Sequence, residues 1–409
     1  MNKHAILLVV VFFFINGLFL VTFSPVFASE ITTDSWSTKT SMKQSRYGLG
    51  VIAVDNKIYA IGGNTADSYP QFDADMLVGT TEQYDPGSDT WVTLKSMPTP
   101  RAYFAIAAYQ NKIYCIGGVV DITSVSMTSW PWFENGTSWV NCGVTEVYDT
   151  VTDSWSTKMA LPVSGSVLQA HVVDGKIFVL AGQDLFMYDP VADFWTQKTS
   201  SPYESWVQTA YDPNEGIAAV VVEDRILFSE QYSEDINCYT RCIVYDPKID
   251  VWMEEKIEPL DWGDWLRYRV ACITDGLYTP QKIYVFGQRS AQSATYVYDL
   301  DGSWSTAKAV PTWRFGFGVG VVEDVLYVIG GFTYGGMAKS QESLGVNERY
   351  VPIGYSKEGY SPEASDSFNI QIVDPSSSSN MFLTVFVVVA IVLTVTGVLF
   401  FYFRRRTHK

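Results

Sequence analysis

Apolar and polar positions in this chain follow one phrase, written several times. Residues 106–118 read IAAYQNKIYCIGG: a short apolar strand, a polar turn at Asn111-Lys112, and a second apolar strand ending in Gly117-Gly118. Further on comes TEVYDTVTDSW, with Tyr148 seven positions before Trp155. The same two phrases stand upstream as VIAVDNKIYAIGG, ending in Gly62-Gly63, and TEQYDPGSDTW, carrying Tyr84 and Trp91. Downstream the hairpin phrase decays to AHVVDGKIFVLAG, IAAVVVEDRILFSE and a stretched version ending QKIYVFG. It returns as GVVEDVLYVIGG, with Gly330-Gly331. Its companion continues as MYDPVADFW (Tyr188, Trp195), VYDPKIDVW (Tyr245, Trp252) and VYDLDGSW (Tyr298, Trp304). Short runs of Val, Ile, Tyr, Phe and Trp between Gly, Pro, Asp and Asn predict strands. No stretch between the two ends keeps a helical period.

A repeat of this length has to stack on its neighbours to bury its apolar surface. Each copy reads as four antiparallel strands: two ending at the glycines, a third with Tyr and a fourth with Trp. Trp36 stands in a Trp phrase, DSWS, that has no hairpin before it. Residues 314–355 hold a hairpin and a Tyr strand, VNERYVPIGY, with no Trp strand after them. The two halves complete one another. Residues 34–42 are therefore expected to form the outermost strand beside 346–355. That closes a ring of six blades: 46–97, 101–161, 165–200, 206–260, 267–310 and 314–355 with 34–42. The predicted fold is all-β, a six-bladed β-propeller of four-stranded blades closed by an N-terminal strand, plus one C-terminal transmembrane helix.

Gly-Gly after an apolar hairpin, then Tyr and a Trp about seven residues on, resembles the kelch repeat, and the resemblance covers about 46–355. It implies that Trp36, Trp91, Trp155, Trp195, Trp252 and Trp304 pack with the tyrosines between neighbouring blades, where large aromatics fill wedge-shaped gaps. It implies that Gly62, Gly63, Gly117, Gly118, Gly330 and Gly331 allow close turns. Blade four departs most, with LFSE in place of Gly-Gly; blades three and five keep one glycine each, Gly182 and Gly287. In family members that bind acidic peptides, basic residues two positions beyond a repeat Arg line the central pocket. The repeat arginines here are Arg46, Arg101, Arg267 with Arg269, and Arg314, and the positions two beyond are Gly48, Tyr103, Arg269 and Gly316. Only Arg269 keeps a charge, so acidic-peptide recognition does not carry over. The repeat arginines are expected to hydrogen-bond a neighbouring loop.

The two ends change the picture. Residues 1–28 read as a signal peptide, with Lys3, an apolar run from Ala5 to Val21, the helix-breaking Pro25, and small residues before Ser29. An uncleaved anchor is the alternative reading. Residues 380–403 include 23 uncharged positions from Met381 to Phe403, enough to cross a bilayer of ~30 Å. The basic tail 404–409, RRRTHK, follows at once, which predicts a cytoplasmic C-terminus. The propeller, 29–355, is then expected outside the cell membrane on a Ser-rich stalk, 356–379, of roughly 80 Å maximum reach at ~3.3 Å per residue. Setting aside Lys3, Arg404, Arg405, Arg406 and Lys409 leaves 23 basic against 44 acidic residues. So negative a surface repels phosphate backbones, which excludes nucleic acid as a partner.

Candidate chemistry sits in the loops. Three insertions after the second strand of a blade are long: TADSYPQFDADMLVG, VVDITSVSMTSWPWFENGTSWVNCG and TYGGMAKSQESLG. All are expected on one face, where a rigid scaffold usually presents binding residues. That face is rich in aromatics: Tyr69, Phe72, Trp130, Trp132, Phe133, Trp139, Trp206, Trp262, Trp265 and Trp313. Exposed Trp and Tyr stack on sugars or anchor peptides. The candidate binding residues are Trp130, Trp132, Phe133, Trp139, Tyr103, Arg269 and Trp265, and the expected partner is a glycan or a surface protein. Asn135 begins the sequon Asn135-Gly136-Thr137 in the longest loop, a candidate glycosylation site. Of five cysteines, Cys115 and Cys272 lie in strands and Cys142 in a long loop; Cys238 and Cys242 flank the short stretch YTR and are a candidate local disulfide. Outside the two ends the chain has one histidine, His171, which leaves no imidazole-rich metal site. Asp67, Asp73 and Asp75 lack a calcium-loop order. No cofactor is implied. A carbohydrate-active enzyme of the sialic-acid epimerase or hydrolase type, working through acids and tyrosines, is the alternative function; a purely structural surface component is the third. The sequence does not specify an oligomeric state.

Overall fold

The structure, a computed structural model, describes residues 12–14, 17–19, 33–67, 76–121, 139–165, 168–202, 217–234, 237–255, 266–289, 292–299, 302–333, 342–357 and 372–373. The ring of strands lies in the unit Met1–Ile372. A two-stranded hairpin, Phe12–Phe14 with Gly17–Phe19, lies in the N-terminal apolar run. Six blades make up the ring.

Blade one runs Gly50–Val54, Lys57–Ile61, Thr81–Asp85, Thr90–Leu94, and blade two Ala105–Tyr109, Lys112–Ile116, Thr145–Asp149, Ser154–Lys158. Blade three runs Leu168–Val173, Lys176–Ala181, Asp184–Asp189, Phe194–Gln197, and blade four Ile217–Val222, Arg225–Glu234, Asn237–Asp246, Val251–Glu255. Blade five is Leu266–Ile273, Lys282–Arg289, Gln292–Asp299, Trp304–Ala307. Blade six takes Gly318–Val322, Val325–Ile329 and Asn347–Val351 from the C-terminal end, and its outer strand is Ser35–Lys39. The expected closure is therefore present, with Trp36 opposite Tyr350. One detail differs. The first turn of blade two falls at Gln110-Asn111, one residue earlier than the sequence suggested.

The Tyr–Trp spacing now has its reason. A tight antiparallel turn between the third and outer strands puts each Tyr directly across from its Trp: Tyr84–Trp91, Tyr148–Trp155, Tyr188–Trp195, Tyr245–Trp252 and Tyr298–Trp304. Apolar clusters fill the six seams between blades. The cluster of Ala105, Ala107, Tyr114 and Ile116 from blade two with Ile177, Val179, Tyr188 and Trp195 from blade three is one of them. Tyrosine and tryptophan thus pack on the preceding blade, as the resemblance implied.

The same side chains also clasp backbone. Trp155 Nε1 donates to the carbonyl of Lys95, and Lys95 N donates to Asp153 Oδ1, which also accepts the Tyr148 hydroxyl. One residue of the preceding blade is held at both its N–H and its C=O. The arrangement recurs on Thr40 (Trp91, Asp89), Met159 (Trp195, Asp193), Thr199 (Trp252, Asp250) and Lys308 (Trp36, Asp34). All five aspartates have positive φ, between 46° and 57°, a conformation that Asp tolerates better than most residues. The equivalent backbone residue for Trp304 would follow Glu255, outside the described residues.

The glycine pairs end the second strand. Gly62 and Gly63 have φ of 61° and 110°, and a Cβ on Gly63 would stand 2.9 Å from the Tyr47 carbonyl oxygen. Where the pair is missing, the hairpin runs on. The second strand has ten residues in blade four and eight in blade five, against five in blades one, two and six.

Candidate binding face

The three long insertions leave the ring from adjacent blades six, one and two. Their stems are described even though their tips lie outside the described residues. In blade two, Val119–Asp121 pairs with Trp139–Asn141. In blade six, Phe332–Thr333 pairs with Glu342–Ser343. In blade one, Asn64 bridges both Tyr47 and Leu77. Ser343 Oγ donates to Asp67 Oδ1 at 3.3 Å and ties the blade-six stem to the blade-one stem.

Beneath the stems lies an aromatic layer. Tyr47 packs on Phe332 at 5.0 Å, Phe315 on Phe332 at 5.6 Å, and Tyr103 on Tyr47 at 6.2 Å. Tyr103 takes a left-handed φ of 54°, the conformation held by glycine at the same place in its neighbours, Gly48 and Gly316. Its ring covers Gly48, where a Cβ would come within 2.9 Å of it. Backbone bonds pass around the ring here, from Tyr103 N to Gly48 O and from Gly48 N to Gly316 O, both 2.7 Å. Tyr103, a candidate binding residue in the sequence, is thus buried in the layer that supports the loops.

Below that layer each of these three blades carries a buried ion pair. Arg46 meets Glu82 at 3.1 Å, Arg101 meets Glu146 at 3.1 Å and Arg314 meets Glu348 at 2.5 Å, with every side chain almost wholly enclosed. Each guanidinium also donates to a carbonyl of its own second strand: Ala60, Cys115 and Val328. Burial lowers Arg46 to about 10 even though Glu82 opposes the shift. The expected loop hydrogen bond is present in two of them, from Arg46 to Gln44 Oε1 and from Arg314 to the Thr312 carbonyl, but the partners common to all three are a carboxylate and a strand carbonyl. The link between blades runs through backbone instead, from Gly63 N to Arg101 O, Gly118 N to Gly165 O and Gly331 N to Arg46 O. Sequence reasoning missed the three glutamates. The signal was there in TEQYD, TEVYD and NERYV, each with Glu two residues before the Tyr. Blades three, four and five have Phe186, Ile243 and Tyr296 at that position.

The remaining predicted residues are scattered. Trp130, Trp132, Phe133, Asn135 and Trp265 lie outside the described residues, as do Tyr69, Phe72, Asp73, Asp75, Trp206 and Trp262. Trp139 opens the return strand of the blade-two stem. Arg269 lies in the inner strand of blade five, where the register shifts between Arg267 and Val270, and such bulges re-aim the chain locally. Cys238 and Cys242 do not flank a loop. Both sit in the strand Asn237–Asp246, and four residues at ~3.3 Å each set their Cα atoms about 13 Å apart, beyond the ~7 Å limit of a disulfide. Cys115 is a buried thiol pushed up to about 12 by burial. His171 stands on the inner strand of blade three with Phe228 edge-on at 6.1 Å, and burial lowers it to about 4, so it is neutral at physiological pH. Among the described residues no group of three His, Cys, Asp or Glu side chains is placed to hold a metal ion. No helix among them is long and apolar enough to cross a membrane, and 380–403 lies outside them.

The opposite face carries the tight turns between first and second strands. These are Asp55-Asn56, Asp174-Gly175, Glu223-Asp224 and Glu323-Asp324, all with positive φ at both positions as primed hairpin turns require. A cavity of about 300 Å³ opens there between blades five, six and one.

Comparison with known proteins agrees with this architecture. The family description Kelch motif matches residues 45–98. Kelch-like protein 35 of Mus musculus is 27% identical over 46% of this chain and 29% of its own. An F-box/kelch-repeat protein of Arabidopsis thaliana is 27% identical over 46% of this chain and 56% of its own. Alpha-scruin of Limulus polyphemus is 27% identical over 44% and 19%. In each case the match spans less than two thirds of the relative. The solved structure of YjhT superposes with a TM-score of 0.55 at 13% identity, covering 75% of this chain and 95% of that one, which is a likeness of fold. With the repeated glycines, tyrosines and tryptophans in their blade positions, these matches support a kelch-repeat family for this six-bladed β-propeller.

Proposed function

We propose that this kelch propeller is a binding module that holds a surface protein or a glycan on its loop face. Kelch propellers generally serve protein interaction. The observation that carries the reading is the grouping of the three loop stems. They leave adjacent blades side by side, above an aromatic layer and three buried ion pairs that occur together in those blades. A scaffold fixed in this way orders its loops cheaply, which preserves affinity. Trp130, Trp132, Phe133 and Trp139 of the longest insertion are the candidate stacking residues, with Arg269 and Trp265 as further candidates from the sequence. The charged and apolar patterns at the two ends support a cell-surface setting: a signal at 1–28, a span at 380–403, and the tail 404–409 inside. Glycosylation of Asn135 would then decorate the rim of the same loop.

The test is binding of the full-length protein to arrays of glycans and of cell-surface ectodomains. A specific hit that falls about tenfold or more on Trp130→Ala with Trp132→Ala supports the reading. A hit indifferent to both substitutions removes the loop from the site. Turnover of a sialoside would instead favour the enzymatic reading.

A further inference from the structure

The turn side of the ring points to a second site, away from the loops. We infer that the cavity between blades five, six and one takes one cationic side chain, a guanidinium or ammonium, of a basic polypeptide partner. The cavity of about 300 Å³ has an apolar floor that includes Val54 and Val322, and its rim carries the carboxylates of Asp55, Asp275 and Glu323 beside Tyr278. Its volume is at the small end for binding pockets and suits a side chain better than a larger ligand. The floor accommodates an aliphatic stem, and the rim meets a terminal charge.

Two further observations set this rim apart from the acidic surface around it. Elsewhere on the described part of the ring the strand-end carboxylates are already paired: Asp85 with Lys57, Asp149 with Lys112, Asp189 with Lys176, Asp246 with Arg225, Asp299 with Lys282. Asp224, in a turn, is paired with Lys248. Asp55, Asp275 and Glu323 have no ion pair among the described residues; Asp174 and Glu223 also have none, but they do not line this cavity. The second observation is rigidity. Asp324, next to Glu323, accepts the backbone N–H groups of Asp275, Gly276, Tyr278 and Thr279. Tyr278 stacks on Tyr355 with ring centroids 5.8 Å apart. The segment that carries Asp275 and Tyr278 is thus fixed in place before any partner arrives, and its aromatic face offers a cation–π contact. Burial, with the neighbouring Asp324 charge, holds the Asp275 carboxyl above its ordinary value, and a bound cation relieves that cost.

The experiment is calorimetric titration of the full-length protein in detergent with a short oligoarginine peptide, against its uncharged citrulline counterpart. Asp275→Asn with Glu323→Gln is expected to weaken the arginine peptide about tenfold or more, with thermal unfolding unchanged. Asp174→Asn with Glu223→Gln removes the same charge from turns outside the cavity and is expected to leave binding nearly intact. Deleting residues 122–138 is also expected to leave it intact, which separates this site from the loop face. Equal loss from both acidic pairs reduces the effect to the general negative field and overturns the inference. So does equal binding of the citrulline peptide.

Discussion

Asp153 joins two blades with a single carboxylate. It accepts the Lys95 N–H of blade one at 3.0 Å and the Tyr148 hydroxyl of its own blade at 2.7 Å, from a backbone at φ 46°. Asp153→Ala is expected to cost about 1–3 kcal/mol in urea unfolding, since two donors lose a charged acceptor. Asp153→Asn keeps one acceptor and the left-handed backbone and should cost less. Acid has a related effect. The Lys95 N–H, then the Tyr148 hydroxyl, hold Asp153 below the ordinary carboxylate range; Tyr188 does the same for Asp193. Lys112, followed by backbone N–H groups, takes Asp149 to about 2. A depressed carboxyl contributes stability that is complete above the unfolded value near ~4 and is lost as pH falls through the folded one. The melting temperature should therefore stay level from neutral pH to about 5 and drop below about 4. A rise on acidification would contradict the clasp. These aspartates were not legible as a motif, because Asp five residues after Tyr in a turn reads as ordinary turn chemistry. Tyr and Trp were legible, because nothing except pairing explains their spacing.

At the scale of one blade, the glycine pair and the buried ion pair do separate jobs. Gly63→Ala meets both a left-handed backbone and a carbonyl at 2.9 Å, whereas Gly182 has φ 63° and open space within 4 Å of the position a methyl would take. Gly182→Ala should then cost only the backbone term of about 1–2 kcal/mol, and Gly63→Ala clearly more. Equal losses would mean that the carbonyl contact at Gly63 has no effect. The ion pair is tested by removing one partner. Glu146→Leu leaves the Arg101 guanidinium enclosed without its counter-charge and should cost about 3–5 kcal/mol, with most of it recovered in the double variant Arg101→Met with Glu146→Leu. The strand pattern revealed the arginines but not their partners, because a Glu inside a half-polar third strand looks solvent-facing. The loss of Gly-Gly in blade four was visible in LFSE; its consequence, a ten-residue strand in place of a bent one, depends on the partner strand continuing the ladder.

For the whole molecule, closure is the feature that the sequence showed most clearly. Two incomplete repeats at opposite ends had one arrangement that completes both, and Ser35–Lys39 occupies it. The same segment brings Asp34 and Trp36 onto Lys308 of blade five and carries Thr40, which Trp91 and Asp89 clasp, so deleting residues 29–42 removes a strand and two clasps together. A substantial fall in melting temperature is expected; an unchanged one would contradict the ring. The loop face was legible only as a set of long insertions. That their stems stand on three adjacent blades, over a buried layer those blades alone share among the described residues, required the fold. In the proposed function, loop-face recognition and the scaffold are assigned to separate parts of this chain. Thermal unfolding and binding of the loop-face partner, measured together on the protein lacking residues 122–138, decide whether that division holds. An unchanged melting temperature with lost binding is the expected result. Retained binding, or a scaffold that unfolds without this loop, would contradict it.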